Sequence, residues 1–442
     1  MAIGSQNPIR DAVLAIADIH EMYARSPCDR VAQLEYPLEK YKKAVQQVCQ
    51  LDVTKQENAV DFALAACVIF SCIEGIRGHY QSLLSHLRSG MRIMMQTEEK
   101  AGKTRISYLS REMLQRLFIG VNAQLMAYGD ERLATRPNDP GLKQLPCAFE
   151  SACQAMSALE HFYCELMQFY LSLQKAATDP RIFDQQGQDL LRQHEVFKKY
   201  FQQWSHSCRT VLDLRTPTTL ELLRELSSEA LIVLVTSVSM SIALEVDITD
   251  ADMDMDRFEP EFRQSLMACE EFLRRSSVQP GHTPSMTTKK RTSMPQVQSV
   301  PLTEQRLQEN VVAGINTQLP PTFSMRMGIV SHLYWAGSRC RDPLLRRWAL
   351  SLLLTCNRRE GLWDSTTCAR IVARVIAIEE NAATSYKSQL LSADQPTLTS
   401  SRDIGRSARV SMLWAKFEVG NRIRICYANL QDRSETMETL EV

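Results

Sequence analysis

Four aspartates alternate in Asp250-Ala-Asp252-Met-Asp254-Met-Asp256, and Glu261 follows. Acidic residues at positions one, three, five, seven and twelve echo an EF-hand calcium loop. That loop needs glycine at its sixth position, where Met255 stands, and Phe258 and Pro260 fit it poorly. Such a run could also hold magnesium against a diphosphate. The plainer reading is a solvated acidic loop ahead of a helix around Phe262, because carboxylates are favoured at a helix N-terminus. Asp250, Asp252, Asp254 and Asp256 are thus the metal candidates, and the expectation is that no metal and no cofactor is bound.

A second cluster lies between Ala65 and Met94, where Cys67, Cys72, His79 and His86 fall within twenty residues. His79 and His86 stand two helical turns apart. Zinc ligands on a helix stand about one turn apart and need further partners, so these read as ordinary packed or surface side chains. His161 and Cys164 are closer to ligand spacing but have no second pair. The chain contains no phosphate-binding glycine loop, no dinucleotide fingerprint, no H-E-x-x-H and no G-x-S-x-G. No catalytic, cofactor-binding or DNA-binding residue is assigned.

The elements that must position these residues are nearly all helical. Apolar residues recur at helical period at Val60, Phe62, Ala63, Ala66, Cys67, Phe70 and Ile73, and again at Tyr80, Leu83, Leu84, Leu87, Met91 and Met94. Gly75-Ile76-Arg77-Gly78 interrupts them, so the spacing predicts a helical hairpin, with Thr54-Lys55-Gln56-Glu57 as a capping box upstream. Asn7-Pro8 and Asp342-Pro343 open helices; the first continues through Val13, Ile16, Ala17, Ile19 and Tyr23. Asp364 is a candidate N-cap after the glycine stop at Gly361. Near the C-terminus, Ile423, Ile425 and Tyr427 alternate onto one face, with Gly420-Asn421 at a turn. A two-stranded ribbon at about 408–429 follows, and it must pack on helices to be stable. The fold class is therefore all-α, a multi-helix, helical-hairpin domain with a small C-terminal β-hairpin. Residues 276–302 are rich in Ser, Thr, Pro and Gln and read as a disordered loop. They divide a first helical part, 1–275, from a second, 303–442.

The 442 residues carry 51 basic and 51 acidic side chains. This neutrality argues against nucleic-acid contact by the chain alone. The arginines from Arg339 to Arg359 are the densest basic stretch and read as a solvated helix face with ion pairs. Lys289-Lys290-Arg291-Thr292-Ser293 could serve nuclear import or a kinase, or be a solvated linker. Residues 230–246 are apolar but short for a bilayer span and are interrupted by Thr236, Ser237, Ser239, Ser241 and Glu245, so a buried core helix is expected, with no membrane. Thirteen dispersed cysteines without C-x-x-C read as reduced thiols in an intracellular compartment.

Several stretches, taken in order, resemble the regulatory region of fungal binuclear zinc cluster (six-cysteine) transcription factors. The likeness runs through "NPIRDAVLAIADIHEMY", His86-Leu87-Arg88-Ser89-Gly90-Met91-Arg92-Ile93, "EMLQRLFIGVNAQLMAYGD", "FESACQAMSALEHFYCELMQF" and "FEPEFRQSLMACEEFL". It continues through Phe323–Gly328, "CRDPLLRRWALSLL", "REGLWDSTTCARIVARVIAIEE" and the terminal ribbon. The resemblance implies transcription regulation in the nucleus (otherwise the cytoplasm), tied to a metabolic or secondary-metabolite gene cluster. It also implies partner binding: other transcription regulators or a homodimer partner, with a small apolar ligand as a further candidate. The family's N-terminal zinc cluster is not found in this sequence, so DNA reading by this chain is not expected. The alternative is a helical domain recruited in secondary metabolism as a biosynthetic enzyme or a small-molecule-binding protein.

Overall fold

Proline fixes φ near the helical value and lacks the N–H that a first helical turn leaves unpaired, so Pro8 and Pro343 are natural helix starts. Both begin helices in the computed structural model. It describes residues 8–24, 35–50, 59–100, 120, 124, 141–178, 180–213, 219–247, 250–276, 319–391, 398–418 and 422–441. The Asp342 carboxylate accepts the backbone N–H groups of Leu344 and Leu345, which completes the second start.

The first four helices are α1 (Pro8–Ala24), α2 (Glu35–Cys49), α3 (Ala59–Arg77) and α4 (Tyr80–Lys100). They pack as two antiparallel pairs, α1 with α2 and α3 with α4. The buried stripe of α1 is Ala12, Ala15, Ile19 and Met22, whereas Val13 is exposed. Ile16 and Tyr23 of the periodic set pack against the same cluster. The α3–α4 hairpin forms as its period predicted. Its helix runs through Gly75 to Arg77, and Gly78 alone takes the left-handed turn, with φ +76°. Gly75 serves close approach instead: a Cβ there would stand 2.9 Å from the ring of Phe323. The capping box at 54–57 lies outside the described residues.

Next come α5 (Ala152–Thr178), α6 (Pro180–Ser207), α7 (Leu220–Glu225), α8 (Ser228–Glu245) and, after a short helical turn at 251–258, α9 (Glu259–Ser276). The last three are α10 (Val330–Arg339), α11 (Pro343–Cys356) and α12 (Ser365–Leu391). One apolar core joins these elements. It includes Phe149, Phe162 and Trp204, the inner residues of α8 and α9, and Leu333, Leu353 and Ile376. Aromatic rings line the α5–α6 contact, where Phe162 stacks on Tyr200 and Phe201 on Trp204. Helix α8 has the length and apolarity to cross a membrane, and 67% of it is buried inside this core. The core spans both sequence parts expected to flank the disordered loop. That loop itself, apart from Ser276 closing α9, lies outside the described residues.

Strands are few. β1 (Thr322–Ser324), β2 (Arg358–Glu360) and β3 (Trp363–Asp364) form a small sheet between helices. The C-terminal ribbon forms from β4 (Val410–Glu418) and β5 (Arg422–Asn429), and Ile423 and Ile425 are buried against Ile371 and Val375 of α12. A third strand, β6 (Glu435–Glu441), pairs antiparallel with β5, so the ribbon has one more strand than expected. The Gly420-Asn421 turn lies outside the described residues.

Candidate functional site

Each aspartate of the alternating run meets a different arginine. Asp250 pairs with Arg406. Asp252 pairs with Arg339 at 2.6 Å and lies 3.8 Å from Arg341. Asp254 takes Arg257, three residues on, at 2.8 Å. Asp256 holds Arg409 at 2.5 Å, and the Arg409 guanidinium also donates to the carbonyls of Asp252 and Ile404. The helical turn at 251–258 thus hands each carboxylate to its own arginine. Among the described residues no group of three or more metal-ligating side chains is brought together.

The arginine-rich stretch is the other half of this arrangement, and here the expectation of a solvated face is corrected. Arg341 and Arg346 are fully buried, and Arg347 is nearly so. Arg341 and Arg346 both reach Glu379 of α12, at 3.0 and 2.8 Å, and Arg347 reaches Glu380 at 2.5 Å. The Glu379 carboxylate also accepts the backbone N–H of Val410, the first residue of β4. Burial alone would raise the Glu379 pKa; Arg341 and Arg346 more than offset it, so the carboxyl sits below its ordinary range. The helical period misled because arginine was taken as the wet face. Two adjacent acids on α12 supply a charged seam into which that face packs. Guanidinium suits such a seam, since its planar fork serves several acceptors at once. Arg346 leaves Nε and Nη1 without a hydrogen bond among the described residues.

A second polar joint ties the N-terminal helices to the core. Glu360, fully buried, accepts the backbone N–H groups of Gly328 and Val330 and so caps α10; it also pairs with Arg358 at 2.9 Å. Arg359 pairs with Asp364 and donates to the carbonyl of Ile76 at the end of α3. The Asp364 carboxylate accepts the N–H of Thr367, as expected of an N-cap. Gln124 accepts from Leu362 N–H and donates to the Met325 carbonyl.

The histidines and thiols are held apart. His79 Nδ1 lies 3.0 Å from Glu74, while His86 Nε2 meets the Tyr41 hydroxyl at 3.1 Å. His161 Nε2 lies 3.1 Å from the Gly141 carbonyl, and Cys164 is buried among Tyr163, Met167 and Leu171. Burial pushes Cys67 up to about 11 and Cys72 up to about 12. Cys340 and Cys356 are also pushed up to about 12. At neutral pH these are thiols, and the thiolate is the nucleophile. A histidine that sequence reasoning passed over, His332 of α10, sits wholly inside the core. Its Nε2 and Nδ1 meet the hydroxyls of Thr236 and Ser239 on α8, at 3.1 and 2.9 Å. Burial lowers its pKa to about 4. The only available signal was that α8 carries hydroxyls at i and i+3 in an otherwise apolar run, one face needing a polar partner. A surface depression of about 410 Å³ lies over α2, lined by Tyr36, Glu39, Lys40, Lys42, Lys43 and Gln46.

The arrangement does two things: it neutralises charge inside the fold, and it fixes helix register. No family profile matches the chain, and no solved structure matches it. The chain is similar to the aspercryptin biosynthesis cluster-specific transcription regulator atnN of Emericella nidulans, with 22% identity over 472 aligned positions covering 94% of this chain and 76% of that protein. A likeness of this extent to a fungal cluster-specific regulator supports a place for the chain among fungal transcription factors, with a transcription-regulator-like role.

Proposed function

We propose that this chain is the regulatory part of a fungal zinc-cluster-type transcription regulator, working in the nucleus to control the genes of one biosynthetic cluster. The observation that carries the reading is the likeness to a cluster-specific regulator along 94% of the chain. The interior chemistry accords with it. Buried carboxylates are matched to arginines, buried thiols are held protonated, and His332 is held neutral. Such groups stiffen a scaffold, and on this reading function falls to its outer faces, which dock other regulators or a second copy.

The test is transcript profiling after deletion of the gene in its own organism. Coordinated loss of transcripts from one biosynthetic gene cluster is the expected result. Unchanged transcripts together with accumulation of a single pathway intermediate would instead mark an enzyme and overturn the reading.

A further inference from the structure

Strand alternation gives the small sheet of β1, β2 and β3 two different faces. Its register sets Phe323, Arg359 and Asp364 in one row across the sheet, and Ser324, Glu360 and Trp363 in the next. Glu360 and Trp363 of the second row belong to the main body of the molecule. Glu360 caps α10, and Trp363 lies in the large apolar core. Arg358, on the same side as Glu360, holds its guanidinium 5.0 Å from the ring of Phe272 in α9. The first row turns toward the N-terminal helices. Phe323 packs against the cluster that contains Ala12, Ala66, Phe70 and Ile73. Arg359 donates to the Ile76 carbonyl at 2.6 Å and lies 5.7 Å from the Tyr23 ring. It also stands against Gly78, where a Cβ would come within 3.2 Å of its Nη1.

Helices α1–α4 have apolar clusters of their own. Among the described residues, the members of those clusters that come from later in the chain are Phe323, Met325 and Leu362, all in or beside the small sheet. The large core joins α5 to α12 and, among the described residues, takes no side chain from α1–α4. The dock between the two bodies is thus built from three apolar side chains and one guanidinium. A small, partly polar contact between bodies with separate cores permits relative motion. Arg359 is the polar link in it. A guanidinium that donates to a carbonyl at the end of α3 meets the negative end of the helix dipole, and such charge-assisted bonds exceed neutral ones. One side chain so engages α1, α3 and the α3–α4 turn. Asp364, the N-cap of α12, anchors it from the other body at 2.8 Å.

We propose that α1–α4 move as one body on the outer face of the small sheet, with Arg359 as the latch that keeps them docked. The packing carries this, and it stands whether or not the chain regulates transcription. Exposed Cys49 on α2 and exposed Cys147 ahead of α5 place one reporter on each body. With Cys28→Ser and Cys153→Ser, nitroxide labels on those two thiols give the distance distribution in the full chain by pulsed electron resonance. The wild type should show one dominant distance, and Arg359→Gln should enlarge a second, longer population by roughly tenfold or more. Phe323→Ala should act in the same direction. Arg358→Gln, one residue away on the core side, should not. In these variants the inner amides of α3, at Ala66, Phe70 and Ile73, should keep their protection from hydrogen exchange, because the body moves without unfolding. In the wild type those amides and the inner ones of α8 should open separately, with different urea dependence. A single unchanged distance in both Arg359→Gln and Phe323→Ala overturns the proposal. So does a common opening of α3 and α8, which would make the molecule one cooperative body. Loss of α3 protection alongside the new distance overturns it too, since the helices would then be melting in place.

Discussion

His332 is buried with two ring nitrogens to satisfy, and two hydroxyls on α8 satisfy them. Among the described residues no carboxylate offsets its burial, which holds the pKa near 4 against an ordinary 6.5. The unfolded chain takes up a proton below about 6.5 while the folded chain does not until about 4. Unfolding therefore binds a proton in that window, and stability falls as pH drops through it, by up to roughly 3 kcal/mol. Urea denaturation at pH 7 and pH 4.5 should show this loss, to which His86 and His194, also lowered by burial, add, and His332→Gln should make the difference measurably smaller. Glu379 shows the opposite arrangement, a buried charge that must stay charged. Glu379→Ala leaves Arg341 and Arg346 without their carboxylate and the Val410 N–H without an acceptor, and the expected loss is about 3–5 kcal/mol in the same denaturation assay. Little at this scale was legible in the sequence. The four aspartates were visible as a cluster, but only Asp254 finds its arginine nearby; the other three were fixed by Arg339, Arg406 and Arg409, as many as 156 residues distant. Alternation says nothing about which way each side chain leaves a helical turn.

Helices declared themselves well because their caps are local. Asp342, Pro343, Asp364 and Gly361 each act on backbone groups within a few residues, so spacing alone located α11 and α12. Two errors share one cause. The arginines of α11 were read as wet because guanidinium is ordinarily solvated, and β6 went unread because "ETMETLE" has three acids and little to bury. In both cases a partner element supplied what the segment lacked: Glu379 and Glu380 of α12 for the arginines, and the ladder of β5 for the acidic strand. Close approach of helices is similarly a tertiary property. Gly337 of α10 faces α12, where a Cβ would stand 2.6 Å from a methyl of Val372. Gly337→Ala should force α10 away from α12 at a cost of about 1–3 kcal/mol, measurable as a lower urea midpoint with an unchanged slope.

The whole molecule sorts its thiols by depth. Cys49, Cys147 and Cys153 are exposed, whereas Cys67, Cys164, Cys208, Cys269, Cys340, Cys356, Cys368 and Cys426 are buried. Brief treatment of the native protein with a maleimide, followed by peptide mass mapping, should modify the exposed three and spare the buried eight until denaturant is added. Rapid native labelling of Cys340 or Cys356 would mean that the core opens far more often than its packing implies. The single core that shelters these thiols also orders events during synthesis. α8 leaves the ribosome with its partners α5 and α6 already made and α9 following at once, but α10, which brings His332 to Thr236 and Ser239, is far downstream. At about 5–20 residues per second the wait is roughly 5–20 s. For that interval Thr236 and Ser239 stand in the most apolar of the described helices without their polar partner, and the rate of elongation to Arg339 sets how long that lasts.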